Sequence, residues 1–155
     1  MIIGRLSMTD ADSPPPGEQD LAAVMFRILP RLGALEEPLL REAGLSMWEY
    51  AILTEVASGA AVSQRELSRR TRRDPTRLGR HLDELVKREL VSRDRPQDQR
   101  QRTVAITDSG QALLDGVRGK IREIEDELLH TAVTESDARN LRRLLDRVAA
   151  ACESD

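Results

Sequence analysis

Residues 74–89 read Asp-Pro-Thr-Arg-Leu-Gly-Arg-His-Leu-Asp-Glu-Leu-Val-Lys-Arg-Glu, and their polar members are spaced to work on one side. Helical spacing puts Leu78, Leu82, Leu85 and Val86 on one face and Thr76, Arg77, Arg80, His81 and Glu84 on the other. A guanidinium fork matches guanine O6 and N7 in a DNA major groove, and Thr suits a thymine methyl or a phosphate. Arg77 and Arg80 are three residues apart and project together. The competing reading is a solvated helix face held by pairs such as Arg80 with Glu84. His81, on the exposed side, suits a phosphate or base contact better than a ligand. Arg65, Arg69, Arg70, Arg72 and Arg73 flank this segment. They suit phosphate contacts, which fix position and supply affinity without reading sequence; some are plain surface charge. Ser63 and Gln64, just before Arg65, join the candidate contacts. Further on, Asp98 stands close enough to Arg100 to orient its guanidinium, with Arg95 beside them. A pre-oriented Arg at a loop tip suits the negative potential of a narrow minor groove. The alternative there is a surface ion pair worth little.

The net charge of −3 conceals a division. Residues 63–102 hold 13 Lys and Arg against 7 Asp and Glu, a surplus of 6 in a chain that is otherwise acidic. A basic segment inside an acidic body fits a polyanion-binding surface, although charge runs are also common on solvated faces. Only Phe26, Trp48 and Tyr50 are aromatic, so Leu, Val, Ile and Ala must fill the core, and a base-stacking platform for single strands is not expected.

The elements that would position these residues can be read from caps and periodicity. Leu21, Val24, Met25, Ile28, Leu29, Leu32, Leu35, Leu39 and Leu40 mark an amphipathic helix over 20–43, which Pro30 and Pro38 should kink or interrupt and Gly44 should stop. Ser46 and Glu49 form a capping box for a helix to about Ala57 that buries Trp48, Ala51, Ile52 and Val56. Ser63 and Glu66 repeat the pattern for a short helix with Leu67 inward. Asp74-Pro75 opens the third, with Asp as N-cap and Pro at the first helical position. Two strands follow, 90–93 and 103–107. The fold class is therefore mainly α with a small β-hairpin wing (α+β), a winged helix-turn-helix over 46–107. Thr107 caps a long helix with Leu113, Leu114, Val117, Ile121, Ile124, Leu128 and Leu129 on one face. Thr134 opens a last helix carrying Ala138, Leu141, Leu144, Leu145 and Val148. Segments 20–45 and 108–152 have more apolar stripe than the winged helix can cover, so they are expected to form a dimerisation region with a second copy. Residues 1–19 read as a disordered polar arm.

Several motifs in order resemble the MarR family of bacterial transcription regulators. Asp98-x-Arg100 with Val104-x-Ile106-Thr107-x-x-Gly110 is similar to its wing signature. Gly44-Leu45-Ser46-Met47-Trp48, Ser63-Gln64-Arg65-Glu66-Leu67, Leu85 to Val91 and Leu141 to Leu145 resemble its other landmarks, over about residues 20–150. The resemblance implies an obligate homodimer that binds double-stranded DNA at a pseudo-palindromic operator and represses until a small aromatic or anionic effector releases it. Carried over by position, Thr76, Arg77 and Arg80 would read the major groove, and Arg100, oriented by Asp98, the minor groove. Two departures stand out: Arg77 and Gly79 where the family has a small Ser or Thr, and Glu89 where it has Gly. In the family the effector pocket lies between the dimerisation helices and the DNA-binding lobe. Trp48 could border it, with core packing as the preferred reading.

No nucleophile–base pair, phosphate-cradling Gly loop or metal cluster is legible, so neither catalysis, a cofactor nor a metal is expected. His81 and His130 are the only histidines, too few for a zinc sensor. Cys152 is the single cysteine and is read as inert, with a redox switch as the alternative. With no apolar run long enough for a membrane and no signal-like start, a cytoplasmic location is expected. The rival to an operator-binding regulator is a winged-helix module that binds an acidic protein, such as an antirepressor or regulatory subunit.

Overall fold

The computed structural model describes residues 17, 19–59, 61–94 and 102–153. Its elements, in order, are α1 (Leu21–Glu42), α2 (Met47–Ala57), β1 (Val62–Ser63), α3 (Gln64–Thr71), α4 (Pro75–Lys87), β2 (Val91–Arg93), β3 (Thr103–Ile106), α5 (Asp108–His130) and α6 (Glu135–Glu153). The mainly helical fold with a small antiparallel sheet is the one expected. β1 was not anticipated: two residues are too short to show a period. It pairs Val62 with Val104, giving the sheet order β1-β3-β2.

Most of the helix starts follow from the sequence. Asp20 accepts from the Ala23 N–H at 2.9 Å. At α2 the capping box is complete, with Ser46 Oγ accepting from Glu49 N–H and Glu49 Oε2 accepting from Ser46 N–H. At α3 it is half made. Ser63 Oγ accepts from Glu66 N–H at 3.1 Å, but the Glu66 carboxylate turns to Arg69 and Arg70. Thr134 Oγ1 accepts from the Asp137 N–H at α6. Pro30 and Pro38 do not interrupt α1, which runs unbroken through both. Each lies on an exposed turn, where water can satisfy the carbonyl four residues back that loses its N–H partner.

The core joins Leu40 and Leu45, then Ile52, Leu53 and Val56 of α2, Leu67 of α3, Leu78, Leu82 and Leu85 of α4, the wing residues Leu90, Val91 and Val104, and Leu114, Val117 and Ile121 of α5. Each fully buried Leu or Ile contributes roughly 1.5–3 kcal/mol relative to exposure. Three expected core residues lie outside it, and of these Ala51 is half-buried. Val86 is 37% exposed, about 100° round α4 from Leu85 and at the rim of the buried stripe. Trp48 is 43% exposed: it shares a face with Ile52, but its ring is met by the Arg73 guanidinium and is not part of the apolar core. Leu53 is fully buried in its place.

The junction of α4, the wing and α5 is tight. α4 ends in a turn where Glu89 has φ 57°, in the left-handed region, while Leu90 N–H returns to Leu85 O at 2.9 Å. Thr107 Oγ1 donates to Glu89 O at 2.6 Å and accepts from Gly110 N–H at 3.0 Å, so one hydroxyl both closes the turn and caps α5. A Cβ on Gly110 would lie 2.0 Å from the Leu90 carbonyl oxygen. Gly110→Ala should therefore lower stability by about 1–3 kcal/mol through overpacking, read as a lower urea midpoint; an unchanged midpoint contradicts this packing. Glu89→Gly should raise it by about 0.5 kcal/mol, because relief of left-handed strain exceeds the entropy a glycine adds to the unfolded chain. A lowered midpoint for that variant would show that the Glu side chain has a stabilising role.

Candidate nucleic-acid interface

α3 and α4 form a helix-turn-helix through residues 72–74. The turn is locked by backbone and side-chain bonds together. Arg72 caps α3 at φ 50°, Arg73 N–H donates to Ser68 O at 3.1 Å, and Ser68 Oγ donates to Arg73 O at 2.6 Å. Asp74 then caps α4, accepting from Thr76 N–H at 3.3 Å and Arg77 N–H at 3.0 Å. Those two N–H donors, Arg77's first, hold the Asp74 carboxyl below the usual carboxylate range. The cap has a chemical consequence. Its carboxylate occupies the anion-seeking end of the helix, so contacts to a polyanion there must come from side chains.

The side chains at that end are available. Thr76, Arg77 and Arg80 are exposed on the face opposite Leu78, Leu82 and Leu85, as expected. Among the described residues Arg65, Arg72, Arg77 and Arg80 form no ion pair. The Arg80–Glu84 pair of the competing reading is not made. A Cβ on Gly79 would meet nothing within 4 Å, so packing does not require a glycine there.

Other candidates are committed elsewhere. Arg69 and Arg70 both bind Glu66, at 2.7 and 2.8 Å, and together they lower its pKa to about 2. Ser63 uses its hydroxyl as a cap. Gln64 is half-buried, donates its N–H to Arg102 O at 3.0 Å and leaves Oε1 buried without a partner, so it joins α3 to the base of the wing. His81 is half-buried and is not the free contact expected: its Nε2 meets Arg73 Nη2 at 3.1 Å. The Arg73 guanidinium also stacks on the Trp48 ring, 3.7 Å from its centroid. Arg95, Asp98 and Arg100 lie outside the described residues.

Two arginines that the sequence did not single out hold α4 in place. Arg93 in β2 donates to Asp83 Oδ1 at 2.8 Å, and its side chain is only 16% exposed. Arg88, just past α4, donates to Gly44 O at 2.8 Å at the α1–α2 elbow. Neither pairing has a local signal, since the partners are 10 and 44 residues away.

Towards the helical body, a cavity of about 230 Å³ lies between α1 and α5. Leu39, Ala43, Leu113 and Val117 form its apolar lining, and the Lys120–Glu42 ion pair at 3.0 Å is on its rim. Trp48 is not among its lining residues. No helix among the described residues is long and apolar enough to cross a membrane, and no cluster of metal-ligating side chains occurs among them.

The MarR family model matches residues 43–101. No curated protein matches the sequence. Among solved structures, a MarR-family regulator from Rhodococcus is similar with a TM-score of 0.71 at 21% identity, covering 85% of this chain and 96% of that one. Apo MarR from E. coli gives 0.70 at 22%, covering 84% and 98%. A Mycobacterium tuberculosis MarR-family protein, solved in complex with DNA, gives 0.71 at 21%, covering 84% and 98%. The helix-turn-helix and the start of the wing thus fall within a match to the MarR family model, and the fold is similar to that of solved MarR-family regulators over about 85% of the chain.

Proposed function

We propose that this chain is a sequence-specific double-stranded DNA-binding regulator that acts as a homodimer on a pseudo-palindromic operator. One observation carries the reading: Thr76, Arg77 and Arg80 form an exposed ridge, free of ion pairs among the described residues, on a helix whose opposite face is locked in the core. α4 is the element that a helix-turn-helix places in the major groove. Arg65 and Arg72 supply phosphate contacts beside it. From the sequence, Arg95 and Arg100, with Asp98 orienting the latter, add the wing's contact to the minor groove.

The dimer is supported by apolar surface that one chain leaves in water. Leu141, Leu144, Leu145 and Val148 recur along α6 at 38–49% exposure, and Leu21, Phe26, Ile28 and Leu29 are exposed on α1. Such a stripe is too continuous for a free helix face. Segments 20–45 and 108–152 form the two-fold body, and 46–107 is the DNA-binding lobe.

The regulator is a ligand-responsive repressor in this reading. Staphylococcus aureus MarR was solved with salicylate and kanamycin, and the M. tuberculosis protein with salicylic acid. The α1–α5 cavity of this chain offers an apolar floor for a small aromatic ring, with the Lys120 ammonium able to meet its carboxylate once it leaves Glu42.

Competition gel shifts on the DNA flanking the protein's own gene test the function. Selection of one fragment over bulk competitor is expected, and no preference at any salt concentration would leave the basic face to an acidic protein partner. On the selected fragment Arg80→Gln should weaken binding and reduce the slope of log K against log salt by about 0.9 if Arg80 neutralises one phosphate as it reads a base. No change in either quantity would remove Arg80 from the interface. Sedimentation should give a dimer at micromolar concentration, and Leu144→Glu with Val148→Glu should give a folded monomer; a dimer that survives both charges overturns the role of α6.

A further inference from the structure

Arg73 has the composition and position of a phosphate contact but not the surroundings of one. It occupies the turn between α3 and α4, with its backbone N–H and C=O both bonded to Ser68. One face of its guanidinium covers the Trp48 ring at 3.7 Å, a cation–π stack to the first turn of α2. Its Nη2 is 3.1 Å from His81 Nε2 on α4, and its Nε is buried without a partner. Arg only donates, so His81 accepts through Nε2 and carries its ring proton on Nδ1. α4 is thereby tied to α2 in mid-helix, and to the α1–α2 elbow again at its end through Arg88 and Gly44.

We propose that Arg73 is a positioning residue: clamped between Trp48 and His81, it sets the seat of α4 on α2 and acts on DNA affinity through that seat, without neutralising a phosphate. This rests on the DNA-binding reading above and assigns His81 and Trp48 to the same strut. The geometry requires the planar, multiply donating head of Arg. Lys has neither the plane nor the fork.

The salt slope separates the two roles, because a lost phosphate contact reduces its magnitude by about 0.9 whereas a lost alignment lowers affinity at constant slope. Arg73→Gln should weaken binding to the selected fragment about tenfold with the slope unchanged. Arg73→Lys, which keeps the charge, should weaken it nearly as much. His81→Leu should do the same, while His81→Gln, which keeps an acceptor near the Nε2 position, should stay within about threefold of the wild type. Trp48 is the only tryptophan, so its emission reports the stack directly in the DNA-free protein. Arg73→Gln and His81→Leu should shift that emission alike, and the double variant should shift it no further.

A slope reduced by about one phosphate, full affinity for Arg73→Lys, or a Trp48 emission indifferent to Arg73 would each overturn the strut. Should the wild type select no fragment at all, the DNA-binding reading fails by itself. The emission series then decides the strut alone: equal, non-additive shifts support it, and additive or absent shifts overturn it.

Discussion

Burial of Leu78, Leu82 and Leu85 beside Ile52, Leu53 and Leu67 is the constraint from which the basic surface takes its form. A helix with one face fixed in a packed core has no rotational freedom left. Thr76, Arg77 and Arg80 must then point into solvent together. Asp74 and Pro75 fix where the helix begins, and Glu89 and Thr107 fix where the chain turns into the wing. The same core extends into α5 through Leu114, Val117 and Ile121, so the lobe that would meet DNA is packed continuously against the long helices. A shift of α1 against α5 has a short physical route to α4, through the elbow at Gly44 and the arginines that grip it.

Charge is distributed on this frame by pairing as much as by composition. Of the arginines near the helix-turn-helix, Arg69 and Arg70 spend their charge on Glu66, Arg93 on Asp83, and Arg73 its planar head on Trp48 and His81. Exposed pairs of the Glu66 kind are worth little for stability. They do determine which cations remain free for a polyanion: among the described residues of 63–102, Arg65, Arg72, Arg77, Arg80, Lys87 and Arg102 make no ion pair. The positive charge of residues 63–102 is thus thinned by pairing, which leaves Arg77 and Arg80 unpaired on the exposed face of α4.

What the sequence revealed and what it hid divide along the range of the interactions. Caps at Ser46, Asp74 and Thr107 and the leucine ladder of α4 are set within four residues, and they are where the reading placed them. The family match and the similar structures agree with the winged-helix class and the family that those local signals pointed to. Trp48 lies outside the apolar core because periodicity tells which side of a helix a residue is on, not what meets it there, which is the Arg73 guanidinium. His81 and Arg73 were read as free because their partners lie across a turn and on another helix. The Glu66 carboxylate had two partners in reach, the Ser63 N–H and a pair of guanidiniums, and the charged ones won. Two prolines in α1 were overweighted, since their cost depends on whether the orphaned carbonyls can reach water. The wing tip at Arg95, Asp98 and Arg100 lies outside the described residues and stands on the sequence.

The central claim is that a two-fold dimer sets one α4 in each of two successive major grooves. A hydroxyl-radical footprint of the protein on its selected DNA fragment tests this most directly. Two equivalent protected half-sites are expected, with centres about one helical turn, or a whole number of turns, apart on one face of the duplex. A single unsymmetrical patch, or protection that spreads along the fragment without a fixed register, would contradict it.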